Sequence, residues 1–217
     1  MIIAIDGPAG AGKSTVAKIL AQKLGFLYID TGAMYRALTW KVLENNVPIN
    51  DAQKIIQLAQ GIKIDLRNNS DGSLTVMLDG KDVSLAIRQA RITQFVSDVA
   101  KLKEVRQVLV QMQREFGQKG DCVLDGRDIG TVVFPSAAKK FFIDASAAER
   151  VKRRFEELKV LGQSVSENEV AGDLANRDKI DSTRETSPLR QAPDAIYIDT
   201  TDLSIEQVVA KMLGFIR

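Results

Sequence analysis

A short apolar run, Ile2-Ile3-Ala4-Ile5, passes directly into Gly7-Pro8-Ala9-Gly10-Ala11-Gly12-Lys13-Ser14-Thr15. The next stretch carries Val16, Ala17, Ile19, Leu20 and Leu24 at helical spacing. A G-x-x-x-x-G-K-[ST] sequence held between a strand and a helix constrains the fold more than any other segment of the chain. Its glycines let successive backbone amides curl around phosphate oxygens, and the helix that follows aims its positive end at the same anion. Gly7 to Thr15 is therefore the expected nucleotide-phosphate cradle. Lys13 is placed on the outer phosphates, and the Ser14 hydroxyl is the expected Mg²⁺ ligand.

The rest of the chain alternates strand and helix patterns, which implies a parallel α/β sheet. Strands are expected at Ile2–Ile5, Phe26–Ile29, Cys122–Leu124, Lys140–Ile143 and Ala195–Ile198. Helices are expected at Ser14–Leu24, Ala33–Asn45, Asp51–Gln60, from about Ser84, from Ser97 to Phe116, Ala147–Leu161, Ser166–Lys179 and Ser204–Leu213. Between the early helices, Ile62–Arg67 and Leu74–Leu78 flank dense turn signals and read as a small antiparallel β insertion. The polar loops after the parallel strands should gather at one edge of the sheet, where open α/β sheets bind their ligands.

Several function classes are excluded or weakened by composition. The 217-residue chain has no histidine, so histidine acid–base chemistry and histidine metal sites are absent. Its one cysteine, Cys122, lies in an apolar strand pattern and reads as a small core residue in a reducing compartment. A net charge of +2 and one tryptophan offer no surface for a nucleic-acid partner. No apolar run approaches the roughly 20 residues of a membrane span, and the N-terminal apolar run is a core strand instead of a signal peptide. A cytoplasmic, monomeric protein without membrane contact is the expectation.

Beyond the phosphate loop, the strand ends carry Asp6-Gly7, Asp30-Thr31-Gly32 and Asp125-Gly126-Arg127-Asp128. Carboxylates at that edge, near Ser14, are what a Mg²⁺-nucleotide site needs. Asp125 ends a buried strand and is favoured as the residue that orients the metal, through water if not directly; Asp30 is second. Arg36, Arg127, Arg177 and Arg184 lie in motif-like segments, and Arg150–Arg154 holds four positive residues in five. Guanidinium forks match phosphate oxygens and neutralise charge during phosphoryl transfer. The Gly162-Gln163-Ser164 break turns the basic helix into a hairpin able to close over a nucleotide, as lids do.

Four segments together give a resemblance. They are the phosphate loop, Asp30-Thr31-Gly32-Ala33-Met34-Tyr35-Arg36, Asp125-Gly126-Arg127-Asp128-Ile129-Gly130-Thr131-Val132-Val133-Phe134-Pro135, and Arg177-Asp178-Lys179-Ile180-Asp181-Ser182-Thr183-Arg184. This set resembles the bacterial-type cytidylate kinases (CMP/dCMP kinases), which belong to the P-loop nucleoside monophosphate kinases, over essentially the whole chain. The resemblance implies a P-loop kinase fold. Residues 1–61 and 85–217 would form the core, with a five-stranded parallel sheet flanked by helices. Residues 62–84 would be the antiparallel insertion of the monophosphate-binding region, and about 150–180 the helical lid. It implies that Thr31, Arg36, Arg127 and Arg184 hold the CMP phosphate. Ser97, Arg106 and Asp128 would read the cytosine edge, and Arg177 and Asp181 would contact the ribose. Arg153 and Arg154 would reach ATP from the lid.

Ser97 and Arg106 are nine residues apart, about 180° round one straight helix, so both can face a single ligand only if the helix breaks near Lys101–Lys103. The expected reaction is direct in-line transfer of the γ-phosphoryl of ATP to CMP or dCMP with Mg²⁺, Lys13, Arg127, Arg184 and Asp125 being its catalytic set. Another small acceptor, such as a different nucleoside monophosphate or shikimate, is the rival within enzymes. A guanine-nucleotide switch is disfavoured because no Asn-Lys-x-Asp motif is present.

Overall fold

The computed structural model describes residues 1–216. The chain begins with β1 (Ile2–Asp6), α1 (Lys13–Leu24), β2 (Leu27–Asp30), α2 (Thr31–Glu44) and α3 (Ala52–Gly61). There follow β3 (Ile64–Asn68), β4 (Leu74–Leu78) and β5 (Lys81–Asp82), then α4 (Ala90–Ala100) and α5 (Lys103–Gly117). The C-terminal half runs β6 (Cys122–Gly126), β7 (Lys139–Asp144), α6 (Ala147–Val160), α7 (Glu167–Thr183), β8 (Ile196–Asp199) and α8 (Ile205–Ile216).

Five strands form one parallel sheet in the order β2-β6-β1-β7-β8. Alternation along β1 splits the core. Ile3 and Ile5 join Val16, Leu20, Phe141, Ile198 and Met212 on the face covered by α1 and α8, while Ala4 joins Met34, Leu124 and Ile129 on the other. The register aligns the carboxyl ends: Asp30 lies opposite Asp125, and Asp6 opposite Gly126. Because the chain leaves β1 for the β2 side and later returns to the β7 side, the crevice above β1 and β6 is a topological switch point.

Local chemistry sets the element ends. The αL residue Gly25 caps α1, its N–H reaching the carbonyls of Ala21 and Gln22. The Asp30 side chain caps α2, Ser166 and Glu169 form a capping box on α7, and Ser204 exchanges bonds with Gln207 ahead of α8.

The helix expected from Ser97 to Phe116 breaks where the ligand argument requires. α4 stops at Ala100, Leu102 is extended, and α5 starts at Lys103. Two details differ from the periodicity. The insertion has a third, two-residue strand, β5, too short to carry a pattern. Ile129–Val133 winds into a single π-turn, which its apolar composition does not announce. The insertion is also tied to the main sheet. Tyr28 N–H donates to Asn68 Oδ1 at 2.9 Å, and Asn68 Nδ2 donates to the Tyr28 carbonyl at 3.1 Å. One side-chain amide thus pairs the free edge of β2 as a neighbouring strand would.

Candidate active site

The phosphate loop is closely backed. A Cβ on Gly7 would lie 1.9 Å from the Ile143 carbonyl oxygen, and one on Gly10 (φ +78°) would lie 2.9 Å from that of Arg150. β7 and the first turn of α6 therefore press the loop into shape. Helix α1 opens at Lys13, with its free amides directed at the loop. Lys13 is buried, and its ammonium donates to the Pro8 carbonyl at 2.6 Å. Burial, and next the neighbouring Arg127, pull its pKa down to about 7, against the attraction of Asp125.

Asp125 organises the floor of the crevice. The Ser14 hydroxyl donates to one of its carboxylate oxygens at 2.7 Å and the Tyr28 hydroxyl to the other at 2.9 Å. The Thr31 hydroxyl donates to its backbone carbonyl at 2.7 Å. Burial, and then Asp30 alongside, push the Asp125 carboxyl up. Asp30 is committed elsewhere, capping Ala33 N–H at 2.7 Å and pairing with Arg36 at 2.9 Å. Asp6, the third of the strand-end carboxylates, accepts the backbone amides of Ile129 and Gly130. Burial pushes it up to about 6 despite those two bonds. No group of three or more His, Cys, Asp or Glu among the described residues could hold a metal ion alone. The Ser14–Asp125 pair instead suits an ion that arrives with phosphate oxygens and keeps its waters.

Opposite the loop stands a set of arginines. Arg127 Nε donates to Asp181 Oδ2 at 2.9 Å, and Arg184 Nη1 donates to Asp181 Oδ1 at 3.3 Å. Burial would raise the Asp181 carboxyl, but Arg127, Arg184 and Arg177 outweigh it and hold the group below the usual range. Arg177 is pulled down to about 10 by burial and by Arg127. Arg36 Nε, Arg106 Nε, Arg177 Nε and Arg184 Nη2 are buried without an acceptor among the described residues. Such a surplus of buried guanidinium donors is a site for an anion.

Farther from the loop, Arg106 and Asp128 form a buried ion pair. Arg106 also donates to the Ala100 carbonyl at 3.3 Å, and its guanidinium lies 5.2 Å from the Tyr35 ring centroid. Ser97, near the end of α4, is buried. The α4–α5 break is what lets Ser97 and Arg106 stand on separate helices.

Of the two lid arginines expected at ATP, Arg153 lies nearer the phosphate loop. Its guanidinium stands 3.8 Å from where a Cβ on Gly12 would be, and it is anchored on Thr200 and Glu149. Arg154 turns the other way, to Thr93 of α4 at 3.3 Å and Glu157 at 2.7 Å. It lines a cavity between α4, α6 and α7 together with Thr93, Glu169, Asp173 and Arg177. Arg150, part of the basic run but not singled out by sequence, makes the more direct contact. It donates to the Ala9 carbonyl at 3.1 Å and to Asp178 Oδ2 at 2.5 Å. Tyr28 carries no sequence signal of its own, and Tyr35 and Arg150 lie inside segments read for other residues; each becomes part of the site only through a neighbour in space.

Comparison with known proteins gives a family and a fold likeness. A family model described as cytidylate kinase matches residues 3–217. A relative from Caldicellulosiruptor bescii named cytidylate kinase is 51% identical over 211 residues, covering 97% of this chain and 93% of the relative. One of the same name from Bacillus subtilis is also 51% identical over 211 residues, covering 97% and 94%. Among solved structures, a gluconokinase from Sinorhizobium meliloti aligns over 98% of this chain and 89% of its own with a TM-score of 0.51 at 12% identity, a likeness of fold alone.

Proposed function

This chain belongs to the cytidylate kinase family, and from that premise we propose that it transfers the γ-phosphoryl of ATP to CMP or dCMP, giving ADP and CDP or dCDP. The observation that carries the reading is the pairing of two halves across one crevice. A lysine-bearing phosphate loop faces buried arginines with unmet donors, and these end in a buried Arg106–Asp128 pair.

In this reading Gly7–Thr15 and Lys13 hold the donor triphosphate. Arg36, Arg127, Arg184 and the Thr31 hydroxyl hold the acceptor phosphate. Arg177 and Asp181 serve the ribose. Asp128 accepts from the exocyclic amine of cytosine, a group uridine lacks, with Arg106 and Ser97 completing the base edge. Uridine would set a carbonyl oxygen against this buried carboxylate, acceptor against acceptor, and such a mismatch rejects the wrong base by orders of magnitude. The insertion at 62–84 enlarges the acceptor side, and the hairpin at about 150–180 acts as the lid, with Arg153 and Arg150 beside the loop.

Transfer needs in-line alignment and charge neutralisation, both supplied by Lys13 and the arginines. The acceptor is already a phosphate oxygen anion, so no strong base is required, which accords with a site lacking histidine. Mg²⁺ would be held by Ser14 and, through water, by Asp125; when bound it draws charge from the β- and γ-phosphate oxygens. Both halves of the site come from one chain, which suits a monomer. ATP use and a single buried thiol suit the cytoplasm. No helix among the described residues is long and apolar enough to cross a membrane.

The test is steady-state kinetics with CMP, dCMP, UMP, AMP and shikimate as acceptors. CMP or dCMP should give the highest kcat/KM; faster turnover of UMP, AMP or shikimate would overturn the assignment.

A further inference from the structure

Asp6 stands where the two halves of the site meet, and the proposed mechanism gives it no task. It ends β1, and the phosphate loop begins at the next residue, Gly7. Its carboxylate reaches the other way. One oxygen accepts Ile129 N–H at 2.8 Å and the other accepts Gly130 N–H at 2.7 Å.

Those amides open the π-turn that follows Asp128. The segment Gly126–Gly130 is therefore held at both ends. At one end Gly126 sits in register with Asp6 in the sheet; at the other, Ile129 and Gly130 are bound by the Asp6 side chain. Arg127 and Asp128 project from the span between. Gly130 fits tightly, since a Cβ there would lie 3.2 Å from Lys140 Cδ and 3.3 Å from Asp6 Oδ2.

Asp6 has no ion-pair partner among the described residues; the nearby Lys140 is bound to Asp194 and the Pro135 carbonyl. A buried carboxylate without a cation is costly. A neutral side chain could end a strand at lower cost, so the carboxylate stands where its geometry is useful: two acceptor oxygens for two adjacent amides.

We infer that Asp6 is a positioning residue for acceptor choice, fixing the base-reading carboxylate of Asp128 relative to the phosphate loop so that acceptors carrying an exocyclic amine are selected. The inference rests on the reading of this chain as a CMP kinase. It also separates Asp6 from the nucleotide–metal carboxylates with which its place at a strand end groups it, because both its oxygens are taken by the Asp128 loop.

The experiment compares wild-type enzyme, Asp6→Asn, Asp128→Asn, the double variant and Gly130→Ala, each with CMP and UMP as acceptors and with ATP varied separately. In Asp6→Asn, one oxygen can serve one amide, while the new NH2 opposes the other. The expected result is a fall of about tenfold or more in kcat/KM for CMP, an ATP KM changed by less than about twofold, and a reduced CMP-over-UMP preference. Adding Asp6→Asn to Asp128→Asn should cost no further preference, because one acts through the other. Gly130→Ala keeps the carboxylate but alters its spacing, and should reproduce the loss of preference.

Equal losses for CMP and ATP, an intact preference in a folded variant, or additive losses in the double variant would overturn the inference. Collapse of the melting temperature in both Asp6→Asn and Gly130→Ala would assign the contact to stability and overturn it as well. A wild-type enzyme that prefers UMP to CMP would instead defeat the functional reading on which the inference rests.

Discussion

Arg106 and Asp128 form an ion pair between α5 and the loop after β6, and both side chains are almost wholly withdrawn from water. Buried pairs of this kind are poor sources of stability, because desolvation offsets their attraction. The pair therefore makes most sense as a binding surface kept in readiness, with Asp128 already oriented and its charge already balanced.

Asp128→Ala should raise the KM for CMP at least about a hundredfold while leaving ATP binding within about threefold, since discrimination by a buried polar group reaches those factors. The variant also leaves Arg106 buried and uncompensated, which should cost about 3–5 kcal/mol of stability. Acceptor and donor KM values with a denaturation curve check both. Equal loss of CMP and ATP would place Asp128 with the metal instead.

Arg184 is joined to Asp181 at 3.3 Å and to the Ser187 carbonyl at 2.8 Å, with Nη2 left unpartnered. Arg184→Ala should weaken CMP by about 2 kcal/mol, within the range for a hydrogen bond to a charged group. The bare nucleoside cytidine, which lacks the phosphate, should bind as it does to wild type. Calorimetry with the two ligands separates the cases, and parallel losses would move Arg184 away from the phosphate.

The Lys13 amine, lowered to about 7 mainly by burial, should be largely neutral in free enzyme at pH 8. Bound phosphates favour the ammonium form, so ATP binding at that pH should take up a proton. Calorimetry in two buffers of different ionisation enthalpy measures the uptake. Lys13→Met should abolish it, and persistence of the uptake in that variant would assign the proton elsewhere. The linked stability has a definite sign. Between about 7 and the ordinary lysine value of 10.5 the unfolded chain binds the proton that the fold excludes, so this group's contribution makes ligand-free stability rise with pH there.

Arg150 holds the carbonyl of Ala9 and shares its charge with Asp178. Arg150→Ala should raise the ATP KM by about tenfold through loss of this charged contact on the loop, with the CMP KM little changed. Asp178→Asn should have the same direction and a smaller size. An effect confined to CMP would show that the hairpin serves the acceptor alone.

How much of this was legible in the chain differs by element. The strand–loop–helix around Lys13 is a local object, because its apolar run, glycines and helical spacing all lie within about two dozen residues, and periodicity reads such distances well. The break between α4 and α5 was legible only indirectly. Leu102 is an ordinary residue, and the demand that Ser97 and Arg106 meet one ligand located the turn, not propensity. The β5 strand and the π-turn at Ile129–Val133 left no pattern because two and five residues span only about one period each, too few to repeat.

The sequence by itself determined the alternating α/β order, the phosphate loop, the carboxylates at the strand ends and the arginines available to meet phosphate. These follow from local spacing and residue chemistry. The tertiary structure decided which of those like-looking groups do what. Asp6, Asp30 and Asp125 all end parallel strands. Packing gives Asp125 the Ser14 and Tyr28 hydroxyls and Asp6 the amides of the Asp128 loop, whereas Asp30 turns to its own helix, capping Ala33 and pairing with Arg36. Arg150, Arg153 and Arg154 are neighbours in sequence, yet they reach the phosphate loop, Thr200 and α4 respectively. The reason is that the partners of Asp125, Asp6 and Arg150 lie about a hundred residues or more away in the chain, and those of Arg153 and Arg154 47 and 61 residues away, and burial makes a hydrogen-bond partner decisive where water would have left it optional.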